Sequence, residues 1–157
     1  MRRRGIKKVI GVISDTHGLL RPEAIEAFDD VSLILHAGDI GRPEVLEELQ
    51  RIAPVIAVRG NNDHGDWAAR IPETQLVHEG AVSLYMLHDV KELHLDPPPQ
   101  NIHAIISGHS HRPSIIQRDG IWLLNPGSAG PRRFKLPISV AKLIVEGTAV
   151  HAELIEL

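Results

Sequence analysis

Asp, His and Asn recur in this chain at one kind of place, directly after short apolar runs. "VISD" leads into Asp15-Thr16-His17, "LHAGD" stops at Asp39, and "VRGNND" carries Asn61, Asn62 and Asp63. "YMLHD" ends on His88-Asp89, and "IISGHSH" ends on His109 and His111. Carboxylates and imidazoles in such positions are expensive to strip of water unless they are paired or bound to a metal. The chain has no cysteine, so a metal would have to be held by nitrogen and oxygen donors. That donor set suits Mn, Fe, Co, Ni or Zn without choosing among them. Each feature alone has a plainer reading. Asp15 or Asp39 could cap a helix, Gly60-Asn61-Asn62-Asp63 could be a turn, and His88 could be an ordinary half-buried histidine. Gly108-His109-Ser110-His111 is more specific, because two histidines two positions apart after glycine can aim at a common point, with Ser110 as a spacer. Five such ends in one chain point to a shared site.

The elements that must position these ends are legible. "KKVIGVISD", "SLILHAGD" and "PVIAVRGNND" read as strands. "RPEAIEAFDD" and "RPEVLEELQRIA" between them read as helices, with Ile25 and Phe28 facing inward on the first and Val45, Leu46, Leu49 and Ile52 on the second. That βαβαβ order predicts a parallel sheet, and in open α/β sheets ligands bind outside the carboxyl ends of the strands. Further on, "TQLVHEGAVSLYMLHD", "SIIQRDGIWLLNPGS" and "ISVAKLIVEGTAVHAELIEL" read as hairpins turning at Glu79-Gly80, Asp119-Gly120 and Glu146-Gly147. "HAIISGHSH" is a lone strand, and "HLDPPPQN" from His94 to Asn101 a proline-rich loop after a helical turn. The expectation is one α/β domain over residues 1–157, parallel in its first half and antiparallel in its second, without repeats or a linker.

Composition narrows the partners. The 157 residues are 43% hydrophobic and 24% charged, ordinary for a globular chain, but only 3% aromatic, so Val, Ile, Leu and Ala must build the core. A net charge of −3 implies no broad basic face for long nucleic acid. The basic arm "MRRRGIKK" reads as a solvated tail. The apolar run behind it meets Asp15 too early for a signal peptide, and no stretch is long enough to cross a bilayer. The cytoplasm is the default location. The apolar terminal hairpin from Ile138 to Leu157 could form a sheet edge or the interface of a homo-oligomer.

The ordered set Asp15-x-His17, Gly38-Asp39, Gly60-Asn61-x-Asp63, His88 and Gly108-His109-x-His111 resembles the calcineurin-like metallophosphoesterases. The chain length and "NPGSAGPRR" are similar to the small bacterial and archaeal phosphodiesterase branch of that superfamily. The resemblance implies a four-layer αββα sandwich, two mixed β-sheets flanked by helices. It implies two divalent metal ions, manganese leading the expectation and nickel, iron, cobalt or zinc the alternatives. Asp15, His17, Asp39 and His111 would hold the first, and Asp39, Asn61, His88 and His109 the second, with Asp39 bridging. The implied chemistry is hydrolysis of a small phosphodiester or nucleotide-like substrate, with a bridging hydroxide attacking phosphorus in line. The alternatives are a phosphomonoesterase or nucleotide pyrophosphatase of the same chemistry, or a scaffold that kept the fold and lost catalysis, as in the small retromer subunit.

Asn62 and Asp63 complete the expected catalytic set. Many relatives carry His where this chain has Asn62, and an amide cannot act as a general acid, a contribution worth about 10²–10⁴ in rate. A preference for good leaving groups follows, unless His64 substitutes. Asp63 and Asp89 are candidate acceptors for imidazole N–H groups; relatives commonly have Gly at the position of Asp89. His36 would either line the site or sit hydrogen-bonded in the core. His78, His94, His103 and His151 read as surface or structural residues. The Pro126-Gly127-Ser128 turn could expose N–H groups to phosphate, and Arg132 or Arg133 could fork onto a phosphoryl oxygen or simply be solvated.

Overall fold

The computed structural model describes residues 7–94 and 98–157. The N-terminal part of the basic arm, the heart of the proline-rich loop and the side chain of His94 lie outside the described residues. Two five-stranded sheets stack face to face. The first has the order β10-β9-β1-β2-β3, built from β1 (Lys7–Ile13), β2 (Leu33–His36), β3 (Val55–Ala57), β9 (Ser139–Glu146) and β10 (Ala149–Glu156). The second has the order β4-β5-β6-β8-β7, from β4 (Thr74–Glu79), β5 (Val82–Leu87), β6 (Ala104–Ile106), β7 (Ser114–Arg118) and β8 (Ile121–Asn125).

The apolar runs have no polar alternation because these strands are covered on both faces. In β1 and β2, Ile10, Val12, Leu33 and Leu35 point between the sheets, where they meet Val82, Leu84 and Met86 of β5 and Ile106 of β6. Ile13 and Ile34 point the other way, against Phe28, Val45 and Leu49. There the helices α1 (Pro22–Ala27) and α2 (Pro43–Gln50) cover the first sheet, each entered through a proline in its first turn. Phe28 is wholly buried, and a side chain at Gly11 would meet its ring at 2.9 Å. The outer face of the second sheet carries Tyr85, Leu87, Ile102 and Ile105, with Leu93 of a 3-10 turn (Val90–His94) packed on them. The four-layer order holds, its fourth layer reduced to that one turn among the described helices.

The three expected hairpins are present. Three details differ from the sequence reading. The second sheet is mixed, as the resemblance implies, and not antiparallel as the hairpin pattern suggests, because β5, β6 and β8 run parallel; apolar runs encode a strand but not the direction of its neighbour. Ile25 is 36% exposed and Ala24 takes the buried position on α1, since a helix of less than two turns presents only a narrow stripe. A one-turn helix α3 (Asp66–Ala69) follows the Gly60–Asp63 turn. No helix among the described residues is long and apolar enough to cross a membrane.

Candidate metal centre

The carboxyl ends of β1, β2, β5 and β6, with the turn after β3, meet at one edge of the sandwich. The loops there are laced backbone to backbone. Asp15 N–H donates to Gly38 O at 3.0 Å, His17 N–H to Asp39 O at 2.9 Å, and Gly108 N–H to His88 O at 2.9 Å. Neither Asp15 nor Asp39 caps a helix; Arg21 and Arg42 occupy those positions. Among the described non-glycine residues eight have left-handed backbone, and five of them are Asp15, His17, Asp39, His109 and His111. Such conformations cost about 1–3 kcal/mol each and persist where surrounding structure imposes them, so the strain of this fold is concentrated at this edge.

Two clusters result. In the first, His111 Nε2 lies 3.4 Å from Asp15 Oδ1, and His17 Nε2 lies 3.8 Å from it. The two imidazole nitrogens face each other at 3.4 Å. In the second, Asp39, His88 and His109 gather; His88 Nε2 is 3.2 Å from Asp39 Oδ2, and His109 Nδ1 is 3.2 Å from Asn61 Oδ1. Asp39 Oδ2 is also 3.6 Å from His17 Nε2, so this carboxylate faces both clusters.

The outward partners are already taken. Asp15 Oδ2 accepts from Ser14 Oγ at 2.7 Å and from His109 N–H at 3.1 Å. His88 Nδ1 is 2.7 Å from Ala37 O and donates to it, which leaves Nε2 a lone pair directed inward. Among the described residues, Asp15 Oδ1, His88 Nε2 and His111 Nδ1 are buried without a hydrogen-bond partner. Converging lone pairs and an orphaned buried carboxylate oxygen are costly alone and are resolved by a cation. The residues therefore fit divalent metal ions.

Ionisation agrees. Burial alone would raise the Asp39 carboxyl, but the His88 contact and the Asn62 N–H outweigh it and hold it well below the carboxylate range. Burial likewise opposes Asp15, which His111, His88 and Ser14 bring below its usual value. Burial would lower His88, yet Asp39 and Asp15 raise it.

The chain matches the model of the calcineurin-like phosphoesterase superfamily domain over residues 9–148. The chain belongs to that family. A probable metallophosphoesterase of Methanothermobacter thermautotrophicus is 38% identical over 159 residues, covering 94% of this chain and 91% of the relative. Among solved structures, Vacuolar Protein Sorting 29 from Cryptosporidium parvum superposes with TM-score 0.81 at 21% identity, over 96% of this chain and 92% of that one. An archaeal phosphodiesterase superposes with TM-score 0.77 at 24% identity, over 94% and 99%. At those identities the likeness is one of fold.

Within this calcineurin-like site, the remaining expected residues divide. Asp89 lies beside an imidazole, with Oδ2 3.7 Å from His109 Nε2, but beyond hydrogen-bond distance of its N–H. Asp63 does not meet an imidazole; its two oxygens accept Gly41 N–H at 2.9 Å and Gly60 N–H at 2.8 Å. Its carboxylate ties its own turn to the loop after Asp39, where these backbone amides take both oxygens. Asn62 rests on Asp39, donating from its backbone to Oδ1 at 2.9 Å and from its amide to Oδ2 at 3.1 Å. His36 is a core histidine, wholly buried.

The Pro126–Ser128 turn does not leave its glycine amide free. Gly127 N–H donates to Asn125 Oδ1, and Asn125 Nδ2 donates to Gly108 O and to Ser110 Oγ at 3.1 Å. Ser110 is thereby a brace of the histidine loop and not a mere spacer. The side chains of Arg132 and Arg133 are exposed and make no hydrogen bond or ion pair among the described residues. Sequence reasoning missed Ser14, whose signal was only its place before Asp15. It also missed Arg59, which lines a cleft of about 430 Å³ with Asn61, His88, Asp89, Glu92 and His109.

Proposed function

We propose that this chain is a binuclear, divalent-metal-dependent phosphodiesterase. The observation that carries the reading is the pair of Asp/His clusters joined through Asp39, with buried donor atoms left unpaired between them. Asp15, His17, Asp39 and His111 would hold one ion, and Asp39, Asn61, His88 and His109 the other. When bound, two such ions supply positive charge for the phosphoryl oxygens and activate water at neutral pH. The protein's own part is to hold the donors. Ser14 and the His109 N–H orient Asp15, Ala37 O sets the His88 tautomer, and Asn62 steadies Asp39.

A diester reading is supported by the charge of the adjoining cleft. Two carboxylates facing two divalent ions leave the centre positive. The cleft wall, however, offers Asp89 and Glu92, while its Arg59 is engaged with Glu73 at 2.8 Å. That wall opposes the dianion of a monoester more than the monoanion of a diester. The archaeal phosphodiesterase of the same fold is consistent with it. A non-catalytic scaffold reading is disfavoured because all seven donor positions keep donor residues.

The test is to strip the protein with chelator, reload it with Mn, Ni, Fe, Co or Zn, and compare aryl phosphodiester with aryl phosphomonoester hydrolysis. Metal-dependent turnover with the diester faster is expected. Two bound ions without turnover of either ester would instead favour the scaffold.

A further inference from the structure

We infer that His36 is a positioning residue, whose two ring nitrogens lock the Asp15–His17 loop to the Gly38–Ile40 loop and so hold the candidate donors in their left-handed backbone. The inference rests on the proposed metal centre for what is being positioned. The lock itself stands on geometry. His36 ends β2 with no solvent exposure, and neither nitrogen is free. Nδ1 accepts the Gly38 N–H at 3.1 Å. Nε2 therefore carries the ring proton and donates it to Thr16 Oγ1 at 3.0 Å. The Thr16 hydroxyl spends its own hydrogen on Ile40 O at 2.8 Å.

Every step of this relay has one direction, so it fixes the tautomer as well as the distance. Thr16 lies between Asp15 and His17, with φ of 55° and 46°, and Gly38 precedes Asp39, with φ of 55°. The ring thus bonds to both strained loops. Backbone bonds between the same loops, including Gly18 N–H to Ile40 O at 2.8 Å, add to the lock. A protonated ring would set an N–H against the Gly38 N–H. Burial prevents this, pushing the imidazole down to about 4 against the nearby Asp15, Asp63 and Asp39 carboxylates.

The experiment uses the full chain in two states, chelator-treated and metal-loaded, with His36→Leu, His36→Asn and Thr16→Val. Asn can still accept the Gly38 N–H but cannot reach Thr16, while Thr16→Val keeps the ring and removes its partner. In the chelated protein, amide exchange at Asp15, His17 and Gly18 should quicken by about tenfold or more in His36→Leu and Thr16→Val, with Leu84 and Leu124 unchanged. Asn should fall between. On titration with Mn or Zn, affinity should drop by about 10–100-fold, the range for groups that orient metal ligands. Wild-type exchange and affinity in His36→Leu and Thr16→Val would overturn the inference. So would equal acceleration across both sheets, which marks a merely structural residue. If His36→Leu does not fold, Thr16→Val decides. If the wild-type chain binds no ions, the metal-centre reading falls, and loop exchange alone decides the role of His36.

Discussion

Gly108 packs against Ser14 and the carboxylate of Asp15, and replacing it tests how tightly that edge is built. A methyl there would lie 2.0 Å from Ser14 Oγ, 2.7 Å from Asp15 Oδ2 and 3.0 Å from Ser14 Cβ. The Gly108 backbone is not left-handed, so the conflict in Gly108→Ala is steric and not conformational. Neither neighbour is free to move, because Ser14 and Asp15 are wholly buried and joined at 2.7 Å. Either the histidine loop shifts, as overpacking costing about 1–3 kcal/mol, or Ser14 turns away and a carboxylate loses a hydrogen bond worth about 1.5–3 kcal/mol. Gly108→Ala should therefore destabilise the chelated protein by roughly 1–3 kcal/mol. Ser14→Ala alone should cost about 1.5–3 kcal/mol, since the His109 N–H still holds Asp15 Oδ2. In the double variant the hydroxyl that met the methyl is gone, so its cost should fall short of the sum by at least about 1 kcal/mol. Urea unfolding of the four proteins, read as midpoint shifts at constant slope, measures this. Single costs that add to within about 0.5 kcal/mol would refute the packing argument.

Asp39→Asn should abolish metal-dependent turnover and weaken both ions while leaving the circular dichroism spectrum unchanged; substantial activity at saturating metal would sink the bridging role. With Asn62 in place of an acid, aryl phosphodiesters should turn over far faster than alkyl ones, and Asn62→His should raise the alkyl rate, up to about 10² at the lower end for general acid catalysis. Equal wild-type rates on both esters would dismiss this. The stability of the chelated protein should depend on pH through His36. The unfolded ring takes its proton near 6.5 and the folded ring only near 4, so the unfolded chain binds more protons between those values. Stability is then complete above about 6.5 and falls by roughly 3 kcal/mol as pH drops to about 4. His36→Leu should flatten the unfolding midpoint over that window, and an unchanged slope would count against a neutral buried ring.

The donor types and their order were legible because each stands at a local boundary, a strand ending in Asp, His or Asn beside a turn-forming glycine. The β-rich runs and hairpin turns were legible for the same reason, since period and turn chemistry act over a few residues. What was not legible depends on contacts between distant parts of the chain. Ser110 reads as a spacer until Asn125, 15 residues on, is seen to hold it. Asp63 reads as a partner for histidine until Gly41, 22 residues back, is seen to share it with Gly60 of its own turn.

The sequence by itself thus determined which atoms are available for metal and phosphate chemistry, and that apolar strands would carry them. Tertiary structure decided the rest. It set the parallel run of β5, β6 and β8, and it brought the His109 N–H onto Asp15 across 94 residues. It also imposed left-handed backbone on five donors at once. Strain of that kind is unfavourable in any isolated segment, and it is sustained only because stacked sheets and interlaced loops leave those residues no other conformation.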